Sequence, residues 1–265
     1  MTTSIQEVLQ ALKEPAGNVA TGVDVLCCGE LETPVSSIAT AFIASQYVIE
    51  KASALGVNLL ITHEGLFYSH FGNKELSAED PVVLEKQRVI KESGMAIFRC
   101  HDYIHRYQPD GIMLGLIQEL EWTGLVKKHM PHATILDLSS EHTVLEIVNH
   151  VKQQLNIPHV RIVGHMDMPV RRIGLLVGNR GGGEQAIPLY ERENLDLIIY
   201  GEGPEWETPE YVRDALFQQK NKALMVLGHA ESEGAGMKYM GNWIQEQYPN
   251  IPVHFISEKP IFQFI

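Results

Sequence analysis

Short apolar, β-prone runs alternate along this chain with longer stretches of helical spacing, and the alternation occurs twice. An amphipathic pattern opens the chain (MTTSIQEVLQALKEP) and should stop at Pro15-Ala16-Gly17. Val23–Cys28 then reads as a strand ending at Gly29, and Ser37–Ser45 as a second strand. Gln46–Leu55 has helical spacing and stops at Gly56, a C′ glycine. Val57–Thr62 reads as a buried strand running straight into His63 and Glu64. Asp80, with Pro81 behind it, caps a helix through Glu92. Met95–Cys100 is the next buried strand, and it runs into His101 and Asp102.

The middle is less regular. Gly111–Leu125 is helical in spacing and Lys127–Asp137 irregular, while Ser140–Leu155 is an amphipathic helix with Ser139 or Ser140 as its cap. Order then returns: strand Ile173–Gly178, helix Glu184–Glu193, strand Leu195–Tyr200, helix Thr208–Gln219, strand Ala223–Leu227. That is the order of Ser37–His101 over again. Residues repeat as well: LLITHEG at 59–65 pairs with LIIYGEG at 197–203, and IFRCHD at 97–102 with MVLGHA at 225–230. His101 thereby falls opposite His229, and Glu64 opposite Glu202. Strands alternating with helices of this length imply βαβ units and largely parallel pairing. The expected fold is α/β, with two similar lobes whose sheets are largely parallel or mixed. Lobe one spans about 1–130 and lobe two about 160–265, joined by a helical region of about 131–159, within a single domain of 265 residues. No Ser- or Gly-rich linker divides the chain. Two such lobes should bring their strand ends to a shared cleft.

Composition narrows the function. A net charge of −12 and a pI near 5.4 argue against a nucleic-acid surface, which needs a basic stripe. The three cysteines, Cys27, Cys28 and Cys100, form no disulfide framework, which points to a reducing, cytoplasmic compartment. The N-terminal stretch lacks the basic start and apolar run of a signal peptide, and no segment reaches the ~18 apolar residues that suggest a membrane span.

The candidate chemistry sits where strands end, the edge at which open α/β sheets collect ligands. His63, Glu64, His101, His105, His229 and Glu233 each follow a predicted buried strand within a few residues. His101 and His105 are spaced i, i+4, as are His229 and Glu233, so each pair shares one helix face. A single histidine at a strand end is more often a cap or a satisfied core residue; recurrence at equivalent positions in both halves is what points to ligands. Imidazole with carboxylate suits Zn, Mn, Fe or Co, and without thiolates a structural zinc site is disfavoured. Six ligands exceed the need of one catalytic ion and fit two divalent ions, which clamp an attacking water and a leaving oxygen.

Other signals are weaker. Gly178-Asn-Arg-Gly-Gly-Gly183 resembles a phosphate-cradling loop but lacks the P-loop Lys-Ser/Thr, and a tight strand-to-helix turn explains it as well. Glu202, Glu205 and Glu207 read as an acidic turn from which one residue could support the ligands. Tyr68 and His70 follow the opening motif closely enough to line the cleft. No G-x-S-x-G elbow is present.

THEG (62–65), HDYIH (101–105) and GHAESE (228–233) together resemble the NIF-three-like dinuclear metal-centre family, also catalogued as GTP cyclohydrolase I type 2. That family typically shows T-H-H-P, H-T-N-L-D and G-H-x-x-x-E, and the resemblance covers nearly the full length. Glu64 stands where the family has its second histidine, and His105 where it has aspartate, which leaves Asp102 as an alternative ligand. The resemblance implies a dinuclear metal centre, assembly into a toroidal homohexamer, and a hydrolase acting on a small nucleotide-like or phosphorylated substrate. The competing reading is a non-enzymatic metal-binding or adaptor protein.

Overall fold

A computed structural model describes residues 2–18, 22–71 and 79–263. The chain forms two compact units, one of Met1–Gly111 with Gly236–Ile265 and the other of Ile112–Ala235. The first contains α1 (Ile5–Lys13), β1 (Val25–Cys28), β2 (Ile38–Ala41), α2 (Gln46–Ala54), β3 (Leu59–Thr62), α3 (Pro81–Ser93), β4 (Ala96–Arg99) and α4 (Asp102–Arg106). The second takes over in α5 (Gly111–Glu119). It continues with β5 (Val126–His129), β6 (Thr134–Thr143), α6 (Val144–Leu155), β7 (Arg161–Val163), β8 (Pro169–Leu175), α7 (Gly183–Arg192), β9 (Leu197–Tyr200), α8 (Thr208–Phe217) and β10 (Ala223–Val226). Helix α9 (His229–Gln247) begins in the second unit and ends in the first, where β11 (Val253–Phe255) completes the sheet. The region 131–159, expected as a connection, forms β6 and α6 of the second unit.

The first sheet has the order β1-β4-β3-β2-β11 and the second β5-β6-β8-β9-β10-β7. β2, β3, β4 and β11 run parallel, and β1 is antiparallel at one edge. β8, β9 and β10 are likewise parallel, with β5, β6 and β7 antiparallel around them. The fold is therefore α/β with two mixed sheets, as expected. The internal repeat is a repeat of topology: β2-α2-β3-α3-β4 and β8-α7-β9-α8-β10 follow one path.

The apolar runs explain the parallel cores. Every residue of β3, β4, β9 and β10 is buried. A strand covered on both faces needs a continuous apolar run and cannot alternate. On the first unit's sheet, Leu60 and Ile97 pack with Val48, Ile49 and Ala52 of α2. In the second, Ile198 and Leu224 pack with Leu189 and Tyr190 of α7.

Two readings of the middle are corrected. The stretch 127–137, expected to be irregular, pairs as β5 with β6. β5 leaves Lys127, Lys128 and His129 exposed, the polar signature of a protected edge strand. The helix expected from Ser140 begins at Val144, because residues up to Thr143 extend β6 against Val170 and Pro169. Thr143 is the cap: its Oγ1 accepts from Glu146 N at 3.2 Å, and Glu146 Oε2 accepts from Thr143 N at 2.7 Å. Among the described residues no helix is long and apolar enough to cross a membrane.

Losing such a reciprocal cap costs about 1 kcal/mol. Thr143→Ala should therefore lower the melting temperature by about 2–4 °C, whereas Ser140→Ala leaves it unchanged in the same differential scanning experiment.

Candidate metal centre

The register of β3 and β4 sets Thr62 opposite Arg99. One step on, the two chains pass from sheet to turn, and His63 lies beside Cys100. Cys100 N donates to Thr62 O at 2.7 Å, and His63 Nδ1 lies 3.3 Å from Cys100 O. The His63 ring is fully buried. After Cys100 the chain enters α4 at once. Its first amides are received by Asp24, which accepts from His101 N at 2.8 Å, Asp102 N at 3.0 Å and Tyr103 N at 3.3 Å. Burial pushes the Asp24 carboxyl up, against the pull of those backbone hydrogen bonds. This short helix turn places His101 and His105 on one face.

Three imidazoles meet there. Ring centroids are 4.4 Å apart for His63 and His101, which stack, 4.9 Å for His63 and His105, and 5.0 Å for His101 and His105. One ligand atom from each lies within 4.8 Å of those of the other two, so the group could hold a metal ion. The tautomers fit that use. His63 Nδ1 faces a carbonyl, His101 Nδ1 is 3.0 Å from Asp102 Oδ1, and His105 Nδ1 is 2.9 Å from Asp110 Oδ2. Each of these acceptors requires a proton on Nδ1, so in the neutral rings all three Nε2 atoms carry lone pairs. Metal-ligating histidines are oriented in this way. His101 stays neutral: burial first, then the neighbouring His63 and His105, push its pKa down to about 3.

Glu64 adds a carboxylate. Its Oε1 is 3.7 Å from His101 Nε2, while its Oε2 accepts from Arg99 Nη2 at 2.9 Å. Glu64, His70 and His101 form a second group with metal-holding spacing. There, however, Arg99 Nη2 lies 3.0 Å from His70 Nδ1, and a guanidinium can only donate. His70 therefore spends its Nδ1 lone pair on Arg99 and carries its N–H at Nε2. The triad of His63, His101 and His105 is the better cation site on this ground. Asp102, the alternative to His105, faces His101 Nδ1 and also accepts from Val23 N at 2.9 Å.

In the second unit, β10 ends at Val226, and Gly228, at φ +113°, turns the chain into α9. His229 Nε2 lies 3.0 Å from Glu233 Oε2 one helical turn on, and its Nδ1 is 2.9 Å from Glu202 Oε1. Glu233 is 2 % exposed. Glycine suits this approach: Gly178 sits at φ +57°, and a Cβ there would stand 2.1 Å from Glu233 Oε1 and force that carboxylate to shift. Ser232 Oγ locks the contact by accepting from Gly178 N at 2.9 Å and donating to His229 O at 2.8 Å. The glycine-rich loop that follows is a tight turn. Gly183 N, at the start of α7, donates to Glu207 Oε2 at 2.5 Å, so a carboxylate of the chain itself takes the place an anion would occupy.

Sequence patterns therefore lead to His63, Glu64, His101 and His105 as one cluster and to His229 and Glu233 as a contacting pair. They miss Asp24, Arg99 and Asp110. Asp24 precedes the amides it caps by more than seventy residues, and Arg99 reads as one interruption in an apolar strand. Asp110, five residues beyond His105, was the one within reach of a spacing argument.

With the geometry in view, comparison places the chain. It is 24 % identical over 264 residues, covering 96 % of this chain and 94 % of the relative, to a Clostridium perfringens protein named GTP cyclohydrolase 1 type 2 homolog. A solved structure described as protein ybgI of unknown function superposes with a TM-score of 0.77 at 20 % identity, covering 97 % of this chain and 99 % of the other. A Bacillus cereus protein related to NIF3 gives 0.76 at 15 % identity over 100 % of both chains. The family described as Duf34/NIF3 (NGG1p interacting factor 3) matches residues 4–260, and the chain belongs to that family.

Proposed function

We propose that the protein is a metal-dependent hydrolase that uses two divalent ions to act on a small nucleotide-like or phosphorylated substrate. The observation that carries this reading is the grouping of His63, His101 and His105, with one ligand atom of each within 4.8 Å of the others and each Nδ1 beside an acceptor. Glu64 supplies a carboxylate oxygen to the same ion, and His229 with Glu233 supplies ligands to the other. The name of the Clostridium perfringens relative supports the substrate class. Zn, Mn, Fe or Co suits this donor set. Such an ion polarises a carbonyl or phosphoryl oxygen and brings the pKa of a bound water towards 7.

The protein's own groups do the rest. Asp102, Asp110 and the Cys100 carbonyl fix the rings before any ion arrives, which lowers the cost of ordering them. Glu202 does the same for His229. His70, its Nδ1 taken by Arg99, carries an N–H at Nε2 that would serve as a donor to an anionic substrate group. Because His101 protonates only near pH 3, protons do not compete with the cation on that ring at neutral pH.

Three outcomes test this reading. The purified protein, loaded and desalted, should hold about two ions per chain by elemental analysis. His101→Ala and His229→Ala should each lower that number and abolish hydrolysis across a panel of phosphoesters and GTP. Metal bound by wild type with no turnover on any substrate leaves a metal-binding protein and removes the hydrolase; no metal at all removes both.

Asp110→Ala frees the His105 ring without touching a ligand. It should weaken metal affinity about 10–100-fold in a chelator competition.

The metal-free protein should lose stability as pH falls. His101 is depressed from 6.5 to about 3 on folding, so between those values the unfolded chain takes up a proton that the folded chain refuses. Its stabilising contribution is complete above 6.5 and lost towards 3. Urea midpoints measured from pH 7 to pH 4 in chelator should fall for wild type and fall less steeply for His101→Gln.

A further inference from the structure

Helix α3 buries two residues, Val83 and, one turn on, Lys86. The valine fits such a position and the lysine does not. Lys86 is 4 % exposed, and burial pushes its amine down to about 8, with the Glu258 carboxylate of the C-terminal segment pulling the other way. Glu258 is itself pushed up by burial and accepts from Ser45 Oγ at 3.1 Å. The Lys86 ammonium, still charged at neutral pH, meets the loop that follows β3. Nζ donates to Leu66 O at 2.5 Å and stands 5.6 Å from the Phe67 ring centroid and 5.1 Å from that of Tyr68. The loop is tight: a Cβ on Gly65 would stand 3.1 Å from Ser69 O, and Tyr68 between them sits at φ +39°. Glu64 precedes it and His70 follows it.

We infer that Lys86 is a positioning residue that holds the tip of this loop, residues 66–68, and through it places His70 as the donor to an anionic substrate group. This deepens the hydrolase reading above and rests on it. The reasoning starts from cost. A buried ammonium opposes folding, and an apolar side chain of similar length in the same space is neutral or stabilising. Packing alone therefore gives no reason for the charge. What the charge adds is direction: one carbonyl and two aromatic rings, from three consecutive residues, gather at a single ammonium. Arg99 holds the base of the loop by donating to His70 O at 2.6 Å, and Lys86 holds the tip. Between the two anchors Tyr68 keeps a left-handed backbone that a bulky residue rarely adopts. With the tip released, that strain is relieved by movement of the loop, and His70 lies only two residues on.

The test has an arm without substrate and a kinetic arm. Without substrate, Lys86→Met should melt about 2–4 °C above wild type at pH 7. Chymotrypsin should nevertheless cut it after Phe67 or Tyr68 about tenfold faster, because loop opening no longer breaks a hydrogen bond from a charged donor. The melting gap should close as pH rises from 7 to 10. The folded amine titrates near 8 and the unfolded one near 10.5, so between those values the folded chain releases a proton that the unfolded chain keeps. Wild type gains stability over that window and the methionine variant does not. A variant that melts below wild type, or is cut no faster in the loop, overturns the proposal. In the kinetic arm, with GTP or bis(p-nitrophenyl) phosphate, Lys86→Met should keep the wild-type metal content and raise KM about tenfold with a smaller change in kcat. In a His70→Ala background the same substitution should add nothing, and a further rise in KM there overturns the route through His70. Wild type that turns over neither substrate removes the hydrolase reading and His70's part in it, while the cleavage rates still decide whether Lys86 holds the loop.

Discussion

The parallel pairing of β3 with β4 is the constraint on which the candidate centre depends. With Thr62 opposite Arg99, the two strands end level with each other. The first residue beyond one strand therefore meets the first beyond the other: His63 Nδ1 reaches Cys100 O, and Arg99 reaches back to His63 O and Glu64. A slip by one residue would turn the imidazole to the opposite face of the sheet. Such a slip is costly because all eight positions of these two strands are buried, so their apolar side chains hold the register that the polar groups need.

That arrangement concentrates polar groups where burial makes them expensive. The response is pairing, and each pairing also aims an atom. Asp24 gathers three backbone amides and thereby orients α4, whose first turn supplies His101. Burial raises the Asp24 carboxyl, and those same hydrogen bonds oppose it. His101 meets the penalty by remaining neutral, which is also the state a cation requires. Arg99 meets it by filling its donor fork. Stability and readiness to bind are here produced by the same hydrogen bonds.

Much of this was legible in the chain. Leu59–Thr62 and Ala96–Arg99 are continuous apolar runs but for Thr62 and Arg99 at their ends, and polar residues after them mark the strand ends; the i, i+4 spacing of His101 with His105 and of His229 with Glu233 follows from helix geometry. The repeated strand-helix order foretold the two matching parallel sets. What stayed hidden depends on partners distant in sequence. Nothing local in Asp24 announces that it caps a helix near residue 102, and nothing in I-F-R-C says that the arginine faces a carboxylate at 64. Edge strands were obscured for another reason: β5 carries lysines because an exposed edge needs them, so its pattern resembles a loop. At Thr143 two signals overlapped, since a polar strand end and a helix cap use the same residue types.

The two units treat one local problem with different chemistry. In each, a parallel strand ends, a helix begins, and a histidine at that junction has its Nδ1 fixed by a carboxylate, Asp102 for His101 and Glu202 for His229. One turn further the first unit offers a second imidazole and the second unit a buried carboxylate. The consequence is electrostatic. Beside His63, His101 and His105 stands the Glu64 carboxylate, and Arg99 offsets much of its charge. Three imidazoles brought together would suit a borderline ion that binds nitrogen better than a hard oxygen-seeking cation such as Ca²⁺.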